Sequence, residues 1–311
     1  MKRLAKDVAA LAAGGKRALA DALAAIETMA GSADLAALLD EAHARPRGLT
    51  IGLTGPPGVG KSTLTDALVR AWRAQGLTVG VVAIDPSSLR TGGALLGDRA
   101  RIQADPEDRG VFIRSMAARD RLGGVSDQTV AAVALMRALF DRVLVETVGV
   151  GQSEADVATI ADTVLLCIQP GSGDSLQFMK AGVMELPDVV VVTKGDMGAP
   201  ARRAKADVEG ALSLYERRDG GWATPVALVS ALEKTGLGEV EAALAAHEAH
   251  LRLGGRLGAR RARRTEACVD QAIRARFGAA GLAASRGLRA LLAGRGPFAR
   301  EQAIARELAR R

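Results

Sequence analysis

One run constrains this 311-residue chain more than any other: Gly55-Pro56-Pro57-Gly58-Val59-Gly60-Lys61-Ser62. It follows the pattern G-x4-G-K-S, comes directly after the apolar run Leu49–Thr54, and opens a helical pattern over Ser62–Gln75. A glycine-rich turn from strand to helix lets backbone N–H groups converge on phosphate oxygens, and the helix N-terminus adds partial positive charge. The spacing assigns a phosphate cradle to Gly55, Gly58, Val59, Gly60, Lys61, Ser62 and Thr63. Lys61 reaches the β- and γ-phosphates, and the Ser62 hydroxyl is a magnesium ligand.

The rest of the chain has the texture such a loop requires. Short apolar runs recur at Leu77–Ile84, Val111–Arg114, Arg142–Thr147, Thr163–Ile168, Val189–Thr193 and Val226–Val229. Helical patterns such as Ser126–Phe140 and Ala201–Leu214 lie between them. Strands that are apolar throughout and alternate with helices predict an α/β fold, a mostly parallel sheet sandwiched by helices. Residues 1–45 predict two amphipathic helices, broken near Gly31-Ser32 and ended before Pro46. After Ser230 a helix over Gly238–Leu251 leads into an arginine-rich tail. The expected organisation is an N-terminal helical extension (1–46), a nucleotide-binding P-loop domain (47–250) and a C-terminal helical arm (251–311).

Two further motifs follow the loop in order. Val143-Leu144-Val145-Glu146 ends a strand with an acid, and Gly149 comes three residues later. In a P-loop fold that acid stands beside magnesium, and the glycine N–H senses the γ-phosphate. Gln152 is a candidate for orienting the attacking water. Thr193-Lys194-Gly195-Asp196 follows the run Val189–Val192. A carboxylate at that place accepts two hydrogen bonds from the guanine ring N–H and exocyclic amine, with the Lys194 stem packed on the base. Adenine lacks that donor pair and leaves the acid unsatisfied. Thr193 stands where such motifs carry Asn, and is expected to lose the amide that braces the nucleotide loops. Ser230-Ala231-Leu232 ends the next strand and matches an element that backs the guanine carbonyl. GTP and GDP are therefore the expected ligands, with Arg90 and Arg114 as unsupported candidates for an arginine finger.

Charge and composition remove other classes. The net charge of +7 is uneven. From Leu251 onward there are 15 arginines, no lysine and four acids, whereas the preceding 250 residues hold 27 bases and 31 acids. The tail carries only Phe277 and Phe298 for stacking on bases, so nucleic acid is not an expected partner. Three histidines and two distant cysteines (Cys167 and Cys268) offer neither a disulfide framework nor the ligands of a nickel-insertion GTPase. Cys167, in an apolar run, reads as a buried structural thiol, and His247 and His250 as a solvated helix face. No apolar run approaches a membrane span, and the expected compartment is the cytoplasm.

Three longer stretches make the pattern specific: Ile84-Asp85-Pro-Ser-Ser88 through Arg90-Thr-Gly-Gly93 to Asp98, Glu146 to Glu154, and Gly173-Asp174-Ser-Leu-Gln177-Phe-Met-Lys180. With the loop, they resemble the MeaB/ArgK family, the methylmalonyl-CoA mutase-associated GTPases, from about Leu49 to Ser230. The resemblance implies a homodimeric GTPase, and with no clear in-built arginine finger its intrinsic turnover is expected to be slow and to rise when its partner docks. That partner is an adenosylcobalamin-dependent acyl-CoA mutase, for which the family acts as a chaperone, gating cofactor delivery and protecting the enzyme. It implies that Asp85, Asp98 and Glu146 surround magnesium with Ser62. It implies a switch over about Gln169–Glu185, including Lys180, that communicates with the mutase. The apolar stripe Val269, Ile273, Phe277 and the group Leu288, Leu291, Leu292 read as a dimerisation arm. A protein kinase acting on amino-acid-transport binding proteins is the competing reading; it needs an acceptor site for which the chain shows no distinct feature.

Overall fold

The computed structural model describes residues 4–85, 105, 107–117, 125–147, 149, 153–171, 186–214 and 221–310. They divide into two compact units: Leu49–Ser126 with Arg142–Arg260, and Met1–Gly48 with Asp127–Asp141 and Arg261–Arg311.

The first unit is built on a seven-stranded, fully parallel sheet. Its strands are β1 (Leu49–Thr54), β2 (Val79–Asp85), β3 (Val111–Ala117), β4 (Arg142–Glu146), β5 (Thr163–Ile168), β6 (Val189–Val192) and β7 (Val226–Leu228). They lie in the order β3-β2-β4-β1-β5-β6-β7. β1 is central, flanked by β4 and β5, with Leu53 opposite Glu146 and Thr54 opposite Leu166. Chain crossings therefore leave β1 to one side and later return to the other. That reversal opens a crevice at the carboxyl ends of the strands, where open α/β sheets bind ligands.

Both faces of the sheet are covered, which is why its strands are apolar throughout. On one face Leu49, Ile51, Leu53, Val81, Leu144 and Val191 pack beneath Leu68 and Trp72 of the helix after β1 and Val240 and Leu244 of a later helix. On the other, Leu166, Ile168 and Val190 meet Val208. There Gly52 lies so close to Val157 and Ala161 that any side chain would collide with them.

The second unit is helical. Its N-terminal part has three helices where the sequence predicts two: α1 (Val8–Ala13), α2 (Gly15–Thr28) and α3 (Ala33–Ala44). The additional break falls at Gly14, whose N–H closes α1 onto Ala10 O. The helix α5 (Asp127–Leu139) packs against α3. The tail forms a long helix over Arg256–Leu291, kinked at Gly278, and a last helix over Pro297–Leu308. Val269, Ile273 and Phe277 come together with Leu288, Leu292, Ile304 and Leu308 in one cluster. Most of the two apolar faces read as a dimerisation arm thus meets within one chain, with Val269 and Ile273 buried there, while Leu291 stays exposed. Asp40 of α3 accepts hydrogen bonds from the N–H groups of Phe298 (2.8 Å) and Ala299 (3.0 Å), capping the last helix. Burial nonetheless pushes the Asp40 carboxyl above its ordinary value. Desolvation of the half-buried His43, with Arg137, Arg261 and Arg300 nearby, pushes its imidazole down to about 4.

The reading of His247 and His250 as a solvated face is corrected. His247 is fully buried: its Nδ1 lies 2.8 Å from Thr163 Oγ1, and its Nε2 lies 3.3 Å from Asp188. Asp188 is gripped by two guanidinium nitrogens of Arg260, at 2.6 and 3.0 Å. It also accepts the N–H of Val164 at 2.8 Å. Asp162 does the same for Thr50 N–H at 2.9 Å. Each carboxylate stands just before a strand and satisfies the amide of the second residue of the neighbouring strand, a structural use at the end of the sheet opposite the crevice.

Candidate functional site

The glycine-rich run forms the expected turn between β1 and the helix α4 (Lys61–Ala74). Gly60 sits in the left-handed region at the helix N-cap, leaving the first amides of α4 pointing out of the helix end. Gly55, also at positive φ, runs so close to β5 that an added Cβ would fall 2.3 Å from Cys167 O. Cys167 is buried, and its thiol is pushed up to about 12 by desolvation, which makes it the structural thiol the sequence predicts. Lys61 bends back over the loop, its Nζ donating to Gly55 O (2.8 Å) and Pro56 O (3.0 Å). The ammonium is thereby held at the mouth of the turn by two neutral acceptors.

β4 brings the acid to the same place. Glu146 is buried, and its two oxygens are held separately: Ser62 Oγ donates to Oε1 at 2.7 Å and Thr65 Oγ1 to Oε2 at 2.8 Å. Thr65 is a site residue that the motif alone does not mark. Its signal is position, one helical turn beyond Ser62 on the same face of α4. Next to Glu146, the Thr147 hydroxyl pairs with Thr54 Oγ1 at 3.0 Å, locking the strand ends together. Gly149 follows at φ +78, and a Cβ there would lie 1.9 Å from Gly55 O and 2.7 Å from Lys61 Nζ. The predicted strand-end acid, loop serine, lysine and glycine are therefore one contiguous site.

The third motif sits beside it. Thr193 follows β6, and its hydroxyl donates to Val59 O at 2.7 Å, with Ile168 O at 3.1 Å. The expectation that threonine loses the brace is corrected: the shorter side chain still ties the Thr193–Asp196 segment to the phosphate loop, through its hydroxyl. Lys194 adopts a left-handed turn conformation and donates to Gln169 Oε1 at 2.6 Å. Asp196 is exposed, and Ser230 Oγ donates to its Oδ1 at 2.7 Å while accepting Glu233 N–H at 3.0 Å. One carboxylate oxygen is thus oriented from behind by a buried serine, leaving the group in a fixed attitude at the surface. Ala231 and Leu232 follow at the exposed rim.

Gly58, Gly60 and Thr63 complete the turn and first helical residues. Asp85 ends β2, but its side chain lies outside the described residues, as do Asp98, Gln152, Arg90 and Lys180. Arg114 lies on β3, in register with Val82. Among the described residues no group of three His, Cys, Asp or Glu side chains is gathered as a metal site. The oxygens of Ser62 and Glu146, hydrogen-bonded at the helix N-terminus, are the hard donors magnesium takes, and that ion ordinarily completes its shell with water and phosphate. No helix of the described residues is long and apolar enough to cross a membrane.

Comparison with known proteins gives the same picture. A protein of Pyrococcus abyssi whose name carries the word GTPase is 46% identical over 70% of this chain and 67% of its own length. The methylmalonic aciduria type A homolog of Mus musculus, a mitochondrial protein, is 39% identical over 70% of this chain, which spans about half (53%) of that protein. Among solved structures, that of an LAO/AO transport system kinase matches with a TM-score of 0.69 and 29% identity, over 92% of this chain and 85% of that one. The family described as methylmalonyl Co-A mutase-associated GTPase MeaB matches residues 19–284. That match, on a seven-stranded parallel sheet with a phosphate loop and a strand-end glutamate, makes this chain a member of the MeaB family of GTPases.

Proposed function

We propose that this chain is a GTP-hydrolysing chaperone of an adenosylcobalamin-dependent acyl-CoA mutase, gating delivery of the cofactor and protecting the enzyme. The observation that carries the nucleotide half is the tie from Thr193 to Val59, because it joins the base-reading segment to the phosphate loop. The mutase half is supported by the family match and by the likeness to the mouse homolog.

In this reading Asp196 and Lys194 hold guanine, with Ser230, Ala231 and Leu232 behind the base. The amides of Gly55 to Thr63 cradle the phosphates. Ser62 would hold magnesium, with Glu146 beside it and Asp85 and Asp98 proposed to complete the acidic surroundings, and the ion would neutralise phosphate charge. Lys61 exchanges its two loop carbonyls for phosphate oxygens and stabilises the charge that develops as water attacks in line. Gly149 offers its N–H to the γ-phosphate, and Gln152 orients the water. Intrinsic turnover is slow and rises when the mutase docks. Homodimerisation through residues 251–311 rests on the family resemblance and uses surfaces other than the buried Val269 and Ile273. The extension, P-loop domain and arm keep the proposed boundaries of 1–46, 47–250 and 251–311, and the cytoplasm is the proposed compartment.

The test is co-elution of the full chain with acyl-CoA mutases loaded with adenosylcobalamin, in the presence of GDP or a non-hydrolysable GTP analogue. A complex whose stability differs between the two nucleotides is expected. Absence of a complex in every nucleotide state contradicts the chaperone reading. The kinase named in the neighbouring structure's title supplies the second reading, which predicts phosphate on a protein acceptor in place of free phosphate.

A further inference from the structure

We infer that Thr65 is a positioning residue for the magnesium site: it fixes the second oxygen of Glu146 so that the first stays aligned with Ser62. The inference rests on the proposed magnesium-dependent GTP chemistry and adds a residue to it.

Three observations combine. Glu146 is 2% exposed, and each carboxylate oxygen accepts a different hydroxyl, Ser62 at 2.7 Å and Thr65 at 2.8 Å. The two hydroxyls lie three residues apart, on one face of α4. Thr65 itself is fully buried, as are Leu64, Leu68, Val69 and Trp72 of that helix, a setting in which a hydroxyl is retained only with a partner. A glutamate has one more rotatable bond than an aspartate, and its carboxylate also turns about its terminal bond. A single hydroxyl leaves that turn open. The second closes it, and it comes from a residue beyond the Gly55–Thr63 cradle, one helical turn further along α4. Ser62 can then present its oxygen lone pair outward while its hydroxyl proton stays directed at Glu146 Oε1.

The experiment measures release of a fluorescent GDP analogue from the full chain, in excess magnesium and in EDTA, for wild type, Thr65→Val and Thr65→Ser. Wild type is expected to release GDP more slowly with magnesium. Thr65→Val, nearly isosteric, is expected to lose about tenfold of that retardation, to need about tenfold more magnesium for half effect, and to match wild type in EDTA. About tenfold corresponds to loss of one buried hydrogen bond of roughly 1.4 kcal/mol. Thr65→Ser keeps the hydroxyl and is expected to behave as wild type. Unchanged magnesium dependence in Thr65→Val overturns the inference, as does equal acceleration in EDTA, which marks a general loosening of α4. A defect in Thr65→Ser equal to that of valine overturns it too. Wild-type release that ignores magnesium overturns the underlying magnesium reading together with the inference.

Discussion

Replacing Gly149 by alanine tests how tightly the strand-end glycine is built into the phosphate loop. The added Cβ would stand 1.9 Å from Gly55 O, whereas side-chain carbons essentially never approach closer than 3.0 Å. Backbone must therefore separate by roughly 1 Å at the point where the two segments meet. The Lys61 Nζ contact at 2.7 Å is relieved more cheaply, since it involves the end of a flexible chain. At φ +78 the alanine also carries left-handed strain of about 1–2 kcal/mol. Misplacement of about 1 Å at a reacting centre lowers rates by about 10²-fold. Single-turnover GTP hydrolysis by Gly149→Ala is accordingly expected to be slower by about 10²-fold or more, with GDP affinity reduced less than GTP affinity. Hydrolysis within a few-fold of wild type would refute the assignment of Gly149 to the γ-phosphate side of the loop.

Thr193→Val removes the hydroxyl that reaches Val59 O and leaves that buried carbonyl short of a donor, at about 1–3 kcal/mol. Equilibrium binding of GDP is expected to weaken by about tenfold, with Thr193→Ser close to wild type. Asp196→Asn turns one acceptor into a donor, so preference is expected to move from guanine to xanthine nucleotides; competition binding reads the change. Desolvation, with Asp127 nearby, pushes Glu301 in the helical unit up to about 7, opposed by Arg276. Folded protein then holds a proton that the unfolded chain has lost between about pH 4.5 and 7, so this group lowers stability as pH rises through that window. His43, pushed down to about 4, acts oppositely, raising stability as pH climbs from about 4 to 6.5. Thermal unfolding of Glu301→Gln is expected to show a higher Tm than wild type at pH 8, a steeper rise between pH 4.5 and 6.5, and little difference below pH 4.5.

The phosphate loop and the strands were legible because their signals are local. β1 and β5 begin and end where the apolar runs Leu49–Thr54 and Thr163–Ile168 do, and a glycine-rich turn before a helix has few other uses. What escaped depended on partners distant in the chain. Periodicity does include His247 in the stripe Val240, Leu244, His247, Leu251, all buried. A polar side chain in such a stripe was read as solvated because its partners, Thr163 and Asp188, lie 84 and 59 positions away. The roles of Thr65 and Thr193 share that cause. Each hydroxyl looks ordinary until the sheet brings Glu146 beneath one and the Val59 carbonyl beside the other. Val269, Ile273 and Phe277 were correctly placed on one helix face, but a face does not name what covers it. Here the chain's own last helix does, through Ile304 and Leu308.

Under the proposed function, GTP turnover at this site answers to a mutase. Its most direct measurement is the steady-state release of phosphate from GTP by the full chain, titrated with an adenosylcobalamin-dependent acyl-CoA mutase, with Lys61→Ala as the inactive control. Slow release by the chain alone, saturable acceleration as the mutase is added, and no acceleration in the control are expected. A turnover rate that stays flat across the titration, with each such mutase tested, contradicts the proposed function.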